Sequence, residues 1–198
     1  MFCYDALAAE KRPDRLQREA LSLSNGISRV ARFEKVSFAQ FEKDVRKQMP
    51  RVSAEEIRAA YDRIALPRRA TAGSSGYDIR TPFSFALRPG EDVTVPTGLR
   101  CRMAEGWCLL LMPRSGMGFR LYTRLANTVG NIDSDYYFAD NEGHMAVKFR
   151  LELADKSASP AIFEAGSAVC QGIFVPFGIT EDDAAEARRT GGFGSTGR

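Results

Sequence analysis

A mainly β fold, a barrel or double-sheet jelly roll preceded by two short helices, is what this chain predicts, on three observations. From about Ala70 onward the apolar stretches are short and turn residues recur at close intervals, with no helical period between them. Met145 to Leu153 alternates strictly, with Val147, Phe149, Leu151 and Leu153 on one side and Lys148, Arg150 and Glu152 on the other. That is the period of a half-buried strand. Ahead of Ala70, two segments carry apolar residues at helical spacing instead, each behind a serine.

Residues 1–28 are charged and weakly patterned, which predicts a tail. ISRVARFEKVS then alternates well enough for a strand through about Lys35. Ser37 with Gln40 three positions on forms a capping-box pattern, and Phe38, Phe41 and Val45 fall on one helical face. Pro50 separates this helix from the next, which Ser53 and Glu56 open and Pro67 stops, with Ile57, Tyr61 and Ile64 as its apolar face. The strands of the β region follow, punctuated by Arg88-Pro89-Gly90-Glu91, Gly98 and Gly106. WCLLLM and VKFRLEL read as two buried strands joined by a polar excursion, and SAVCQGIFVPFGI as a further strand. After Thr180 the chain turns acidic and alanine-rich, then ends in RRTGGFGSTGR, where four glycines in eight residues favour no fixed conformation. The expected organisation is a tail over 1–28, a β domain over 29–180 with a helical insertion near 37–65, and a flexible arm over 181–198.

At 198 residues the chain is long enough to bury a proper core. A net charge of +3 with arginine doublets only (Arg68-Arg69, Arg188-Arg189) suits a small anionic ligand better than nucleic acid. No apolar run approaches a membrane span. MFCYDALAAEKRPDR places charges where a secretory leader needs an apolar stretch, so a cytoplasmic protein is expected. Cys3, Cys101, Cys108 and Cys170 form no CxxC pair and His144 is the single histidine. They read as small buried apolar residues in a reducing compartment, with no zinc site.

Residues with chemistry cluster in the polar excursion from Pro113 to Phe149, a place where rigid strands would hold functional groups. Five segments stand in order: AGSSGYDI (72–79), PRSG (113–116), NTVGNIDSDYY (127–137), CQGIFVPF (170–177) and GGFGSTG (191–197). Each alone is also an ordinary turn, cap or strand edge. Together they resemble the five motifs of the trimeric dUTP pyrophosphatases (dUTPases), and RFEKVS with the two helices resembles the longer bacterial and prophage branch. The resemblance implies a dUTPase-like jelly roll of the β-clip kind. The implied reaction is hydrolysis of dUTP to dUMP and pyrophosphate in a homotrimer, with Mg²⁺ as cofactor.

Residue by residue, the resemblance makes Asp133 the base that deprotonates the water attacking the α-phosphorus. Asn127 is similar to the amide that reads uracil along with hairpin backbone at Gly130 and Ile132, and Tyr136 to the ring beneath the deoxyribose. Asp78 corresponds to an aspartate that reaches the metal through water. Arg114 resembles its arginine partner, and Ser115, Gly116 and Gln171 the phosphate contacts. On the terminal arm, Phe193 would stack on uracil, Arg188 or Arg189 would meet the γ-phosphate, and Gly194, Ser195 and Thr196 would complete a lid.

The chain departs from the family in two places. Tyr136 is followed by YFADNEGHM, longer than the family's continuation, and the 1–66 extension has no role that its composition assigns. Two alternatives accompany the main reading. A dCTP deaminase of the same fold would be expected to show Arg-Ser-Ser and a downstream glutamate, where this chain has Arg114-Ser115-Gly116 and Ile132-Asp133. A prophage-type regulator would bind a protein partner, with the Phe138–His144 insertion or the N-terminal extension as its surface.

Overall fold

The computed structural model describes residues 28–186 and 191. Twelve strands, three α-helices and a 3-10 turn make up these residues. The strands form four small sheets, which the expected barrel or jelly-roll class anticipates. β1 (Ala31–Lys35) pairs antiparallel with β6 (Leu99–Met103). β5 (Asp92–Pro96), β10 (Ala146–Leu151) and β8 (Thr123–Leu125) form a three-stranded sheet. β4 (Phe85–Leu87) pairs with β11 (Ala161–Phe163). The largest sheet runs β2 (Arg68–Arg69), β3 (Tyr77–Arg80), β12 (Ala168–Pro176), β7 (Trp107–Pro113), β9 (Gly130–Ile132).

Alternation decides which side chains enter the core. Val147, Phe149 and Leu151 of β10 are buried while Lys148 is exposed, as the sequence pattern predicts. They meet Ile79, Leu109 and Leu111 from the largest sheet. Phe85 stacks on Phe163 at 4.7 Å between ring centroids, a contact worth about 1 kcal/mol beyond the area it buries. Cys101 and Cys170 sit in this core, and burial pushes both thiols up to about 12, which leaves them unreactive.

Helices α1 (Phe38–Gln48) and α2 (Ala54–Arg63) form where the serine caps predict them. They build a second, smaller core from Val36, Phe41, Val45, Ile57, Ala60 and Phe83. Phe41 is fully buried, so its truncation to alanine costs about 3–5 kcal/mol. Ser53 and Glu56 make the complete capping box. At α1 the box is closed differently. Ser37 accepts from the Gln40 N–H, but the Gln40 amide turns to Asp44 at 2.7 Å. Glu142, 105 residues away, accepts from the Ser37 N–H at 2.7 Å and from its hydroxyl at 2.6 Å. A carboxylate at a helix N-terminus is also favoured by the helix dipole.

This cap carries an expectation for acid. Burial alone would raise Glu142, but the Ser37 hydroxyl and N–H hold it below the ordinary glutamate value. A depressed carboxylate contributes stability above its unfolded pKa, and that contribution is lost as pH falls through the folded value. Glu142→Gln therefore melts below the wild type at neutral pH, and the gap narrows once pH falls below the ordinary glutamate value of about 4.3. Thermal melts at the helical circular-dichroism band test this; a gap that stays constant with pH would mean the cap is not ionic.

The third helix, α3 (Ser115–Leu121), was not anticipated: the sequence predicts a turn at Arg-Ser-Gly. SGMGFRL has two glycines and no side-chain cap bond, and Phe119 is 86 % exposed. Its local signals are weak, and burial of Met117 against the core is what anchors it. Among the described residues no helix is long and apolar enough to cross a membrane.

Candidate active site

Three neighbouring strands of the largest sheet bring one group of residues together. Gln171 on β12 stands opposite Asp78 on β3 and opposite Met112 on β7. Arg114 follows β7, and its Nε lies 3.1 Å from Asp78 Oδ1. Gly76 lies against Gln171: a Cβ there would come within 2.7 Å of Gln171 Oε1 and displace that amide. A guanidinium has five N–H donors, so this pair orients Arg114 without exhausting it. Ser115 and Gly116 lie exposed at the start of α3, beside Arg114. Backbone N–H groups and a cation suit a phosphate chain, and the Asp78 carboxylate suits a metal ion on it.

A second group sits on the turn that joins β8 of the three-stranded sheet to β9 of the largest one. Asn127 is exposed there, where Thr128 takes φ 67 and the Val129 N–H bonds to Asn127 O at 2.7 Å. The turn borders a cavity of about 320 Å³ lined by Asn127, Gly130, Thr94, Lys148 and Gln48 among others. Gly130 and Ile132 are buried, so Ile132 offers a ligand only backbone. Gln48 comes from α1 and was not foreseen, since nothing in the helical period says what the end of α1 lies against.

Asp133 follows β9 and precedes the 3-10 turn Ser134–Phe138. Its side chain makes no cap bond to that turn, so turn capping does not account for it. Asn131 Nδ2 donates to Asp133 Oδ1 at 2.8 Å, which orients the carboxylate and leaves it half-buried. Burial first, and then the charge of Asp133, raise the Cys108 thiol, which places the carboxylate beside the N-terminal end of β7.

Tyr136 needs correction. The resemblance puts its ring beneath a sugar, but the ring is 2 % exposed, inside the core. Its hydroxyl donates to His144 O at 2.8 Å and accepts from Asn141 Nδ2 at 2.8 Å. The longer continuation after Tyr136 returns to its hydroxyl, so a sugar contact would need the ring uncovered. Within the same insertion Tyr137, Asn141, Glu142 and His144 are engaged with the rest of the chain. Phe138, 72 % exposed, and Asp140 face outward.

The dUTPase family model matches residues 62–197. The chain belongs to the dUTPase family. A deoxyuridine 5'-triphosphate nucleotidohydrolase of Lactococcus lactis is 41% identical over 137 residues, covering 68% of this chain and 89% of that one. A dUTPase crystal structure from Streptococcus mutans aligns with TM-score 0.56 and 31% identity, over 75% of this chain and 98% of the other. The dUTPase of Staphylococcus bacteriophage 80alpha shares the fold at TM-score 0.57 and 17% identity, over 81% of this chain. The enzyme is thus a nucleotide hydrolase, and hydrolysis is favoured over the deaminase and pure-regulator alternatives. Residues 28–61, including α1 and most of α2, precede the family match.

Within one dUTPase chain the two groups are far apart. Asp133 comes one step past the Ile132–Leu109 pairing, opposite Cys108, whereas Asp78 is level with Met112 two strands across from it. Four residues along the strand and three strand spacings across put Asp133 and Asp78 roughly 20 Å apart. The arm residues Arg188, Arg189, Phe193, Gly194, Ser195 and Thr196 lie outside the described residues.

Proposed function

We propose that this dUTPase hydrolyses dUTP to dUMP and pyrophosphate at sites shared between subunits of a homotrimer. Asp133 from one copy works with Arg114, Ser115, Gly116, Gln171 and Asp78 from another. The observation that supports this reading is the roughly 20 Å between Asp133 and Asp78, too far for one nucleotide triphosphate to be held and attacked by a single chain.

The β8–β9 turn takes the base. Asn127 can donate to one carbonyl and accept from the ring N–H of uracil, while backbone at Gly130 and Ile132 cannot turn round to suit cytosine. The phosphates lie along Arg114 and the start of α3. Asp133 accepts a proton from a water whose oxygen attacks the α-phosphorus. The bond from that phosphorus to the bridging oxygen breaks, and pyrophosphate leaves with the electron pair.

A magnesium ion fits the donor set. Among the described residues no group of three or more His, Cys, Asp or Glu could hold a metal by itself. Magnesium keeps several waters and takes few protein carboxylates, with substrate phosphates as the remaining ligands. Asp78, 21 % exposed beside Arg114, would hold it through water. When bound, the ion supplies charge neutralisation on the phosphates.

Pyrophosphate release from dUTP, dTTP and dCTP, with magnesium or with a chelator, tests the proposal. Turnover of dUTP should exceed that of the other two by at least about 10²-fold, and the chelator should suppress it. Comparable turnover of dTTP or dCTP would show that the β8–β9 turn does not read the base.

A further inference from the structure

The helical extension and the insertion after Tyr136 are the chain's two departures from its family, and they are bound to each other. Asp133 to His144 forms a ladder of tight turns: Tyr136 N–H to Asp133 O, Ala139 N–H to Tyr136 O, Glu142 N–H to Ala139 O, His144 N–H to Asn141 O. Gly143 closes it at φ 69, where a Cβ would lie 2.7 Å from Tyr136 O and from Tyr137 Cα. The Tyr136 hydroxyl bonds across the ladder to His144 O. The whole segment therefore moves as one piece with the Asp133 backbone.

Three residues tie that piece to the extension. Tyr137 donates to Glu34 of β1 at 2.8 Å, Glu142 caps α1 through Ser37, and His144 Nδ1 meets Asp44 Oδ2 at 2.6 Å. His144 is 2 % exposed. The Gly98 N–H donates to its Nε2 at 2.8 Å, so Nε2 carries no proton and Nδ1–H must donate to Asp44. The charged groups around His144 are Asp44 from α1, Glu142 on its own segment, and Arg100 of β6 beyond Glu142.

We infer that α1 is a clamp on the Asp133 loop, with Asp44 and His144 as positioning residues for the water-activating carboxylate. The inference rests on the proposed role of Asp133 but goes beyond it. Neither residue touches substrate; both hold the segment that carries Asp133. Asp44 Oδ2 accepts from His144 and from Gln40 at 2.7 Å, tasks that need an acceptor and no charge.

The test uses the full chain. Asp44→Ala should lower kcat for dUTP by about 10- to 100-fold, the scale of a misplacement near 1 Å, with KM little changed. Asp44→Asn should restore kcat, since its Oδ1 accepts both bonds. His144→Gln keeps a donor and an acceptor, so it should stay active where Asp44→Ala does not. Hydrogen exchange of the 134–139 amides without nucleotide should quicken in Asp44→Ala. If Asp44→Ala does not fold, Glu142→Ala makes the same two measurements from the other bond. Unchanged kcat overturns the inference, whether or not exchange quickens, and so does Asp44→Asn behaving like Asp44→Ala. If the wild type fails to cleave dUTP, the reading of Asp133 falls instead, and unchanged exchange in Asp44→Ala would still overturn the clamp.

Discussion

Asp133→Asn binds dUTP as the wild type does and turns it over about 10²–10⁴-fold more slowly, the loss typical of a missing acid–base group. The substitution keeps the shape of the side chain, and its Oδ1 still accepts from Asn131 Nδ2, so the loop is undisturbed. What it removes is the ability to take a proton from water. Single-turnover kinetics alongside a binding isotherm separate the two effects. Near-normal turnover would remove Asp133 from the mechanism, and lost binding would make it a substrate contact instead.

Two inactive variants regain activity when mixed. Arg114→Ala removes the cation that pairs with Asp78 at the phosphate cluster, and Asp133→Asn removes the base. If each site takes these residues from different subunits, co-refolding equal amounts yields sites with both wild-type residues. In a closed cyclic trimer assembled at random, about a quarter of the sites are restored. Turnover near that fraction, against almost none for either variant alone, is the expected outcome. No recovery, with mixed oligomers demonstrated by mass spectrometry, would place both residues in the same subunit's site. The roughly 20 Å within one chain would then need another explanation.

Much of the fold could be read locally. The Ser53–Glu56 box, the Phe41 and Val45 face and the alternation along Met145–Leu153 all concern residues a few positions apart, and the structure has them as expected. Arg114 beside Asp78 was legible through the ordered motifs. The α3 helix was not, because a seven-residue helix with two glycines leaves little local signal. Tyr136 was placed by motif register at a sugar, whereas the insertion behind it covers its ring. Gln48 at the cavity beside the β8–β9 turn had no signal at all, since it depends on where α1 docks.

By itself the sequence determined the class of fold, the family and the order of its motifs, because periodicity, caps and motif spacing are properties of neighbours along the chain. Tertiary structure alone decided three things. It determined that the acceptor closing the α1 cap is Glu142, 105 residues from Ser37, and that His144 is a buried joint bonded to Asp44 from 100 residues away. It also put Asp133 and Asp78 at different ends of one sheet. These are pairings between surfaces brought together by burying two cores, and that packing satisfies polar groups with whichever partner it brings within reach.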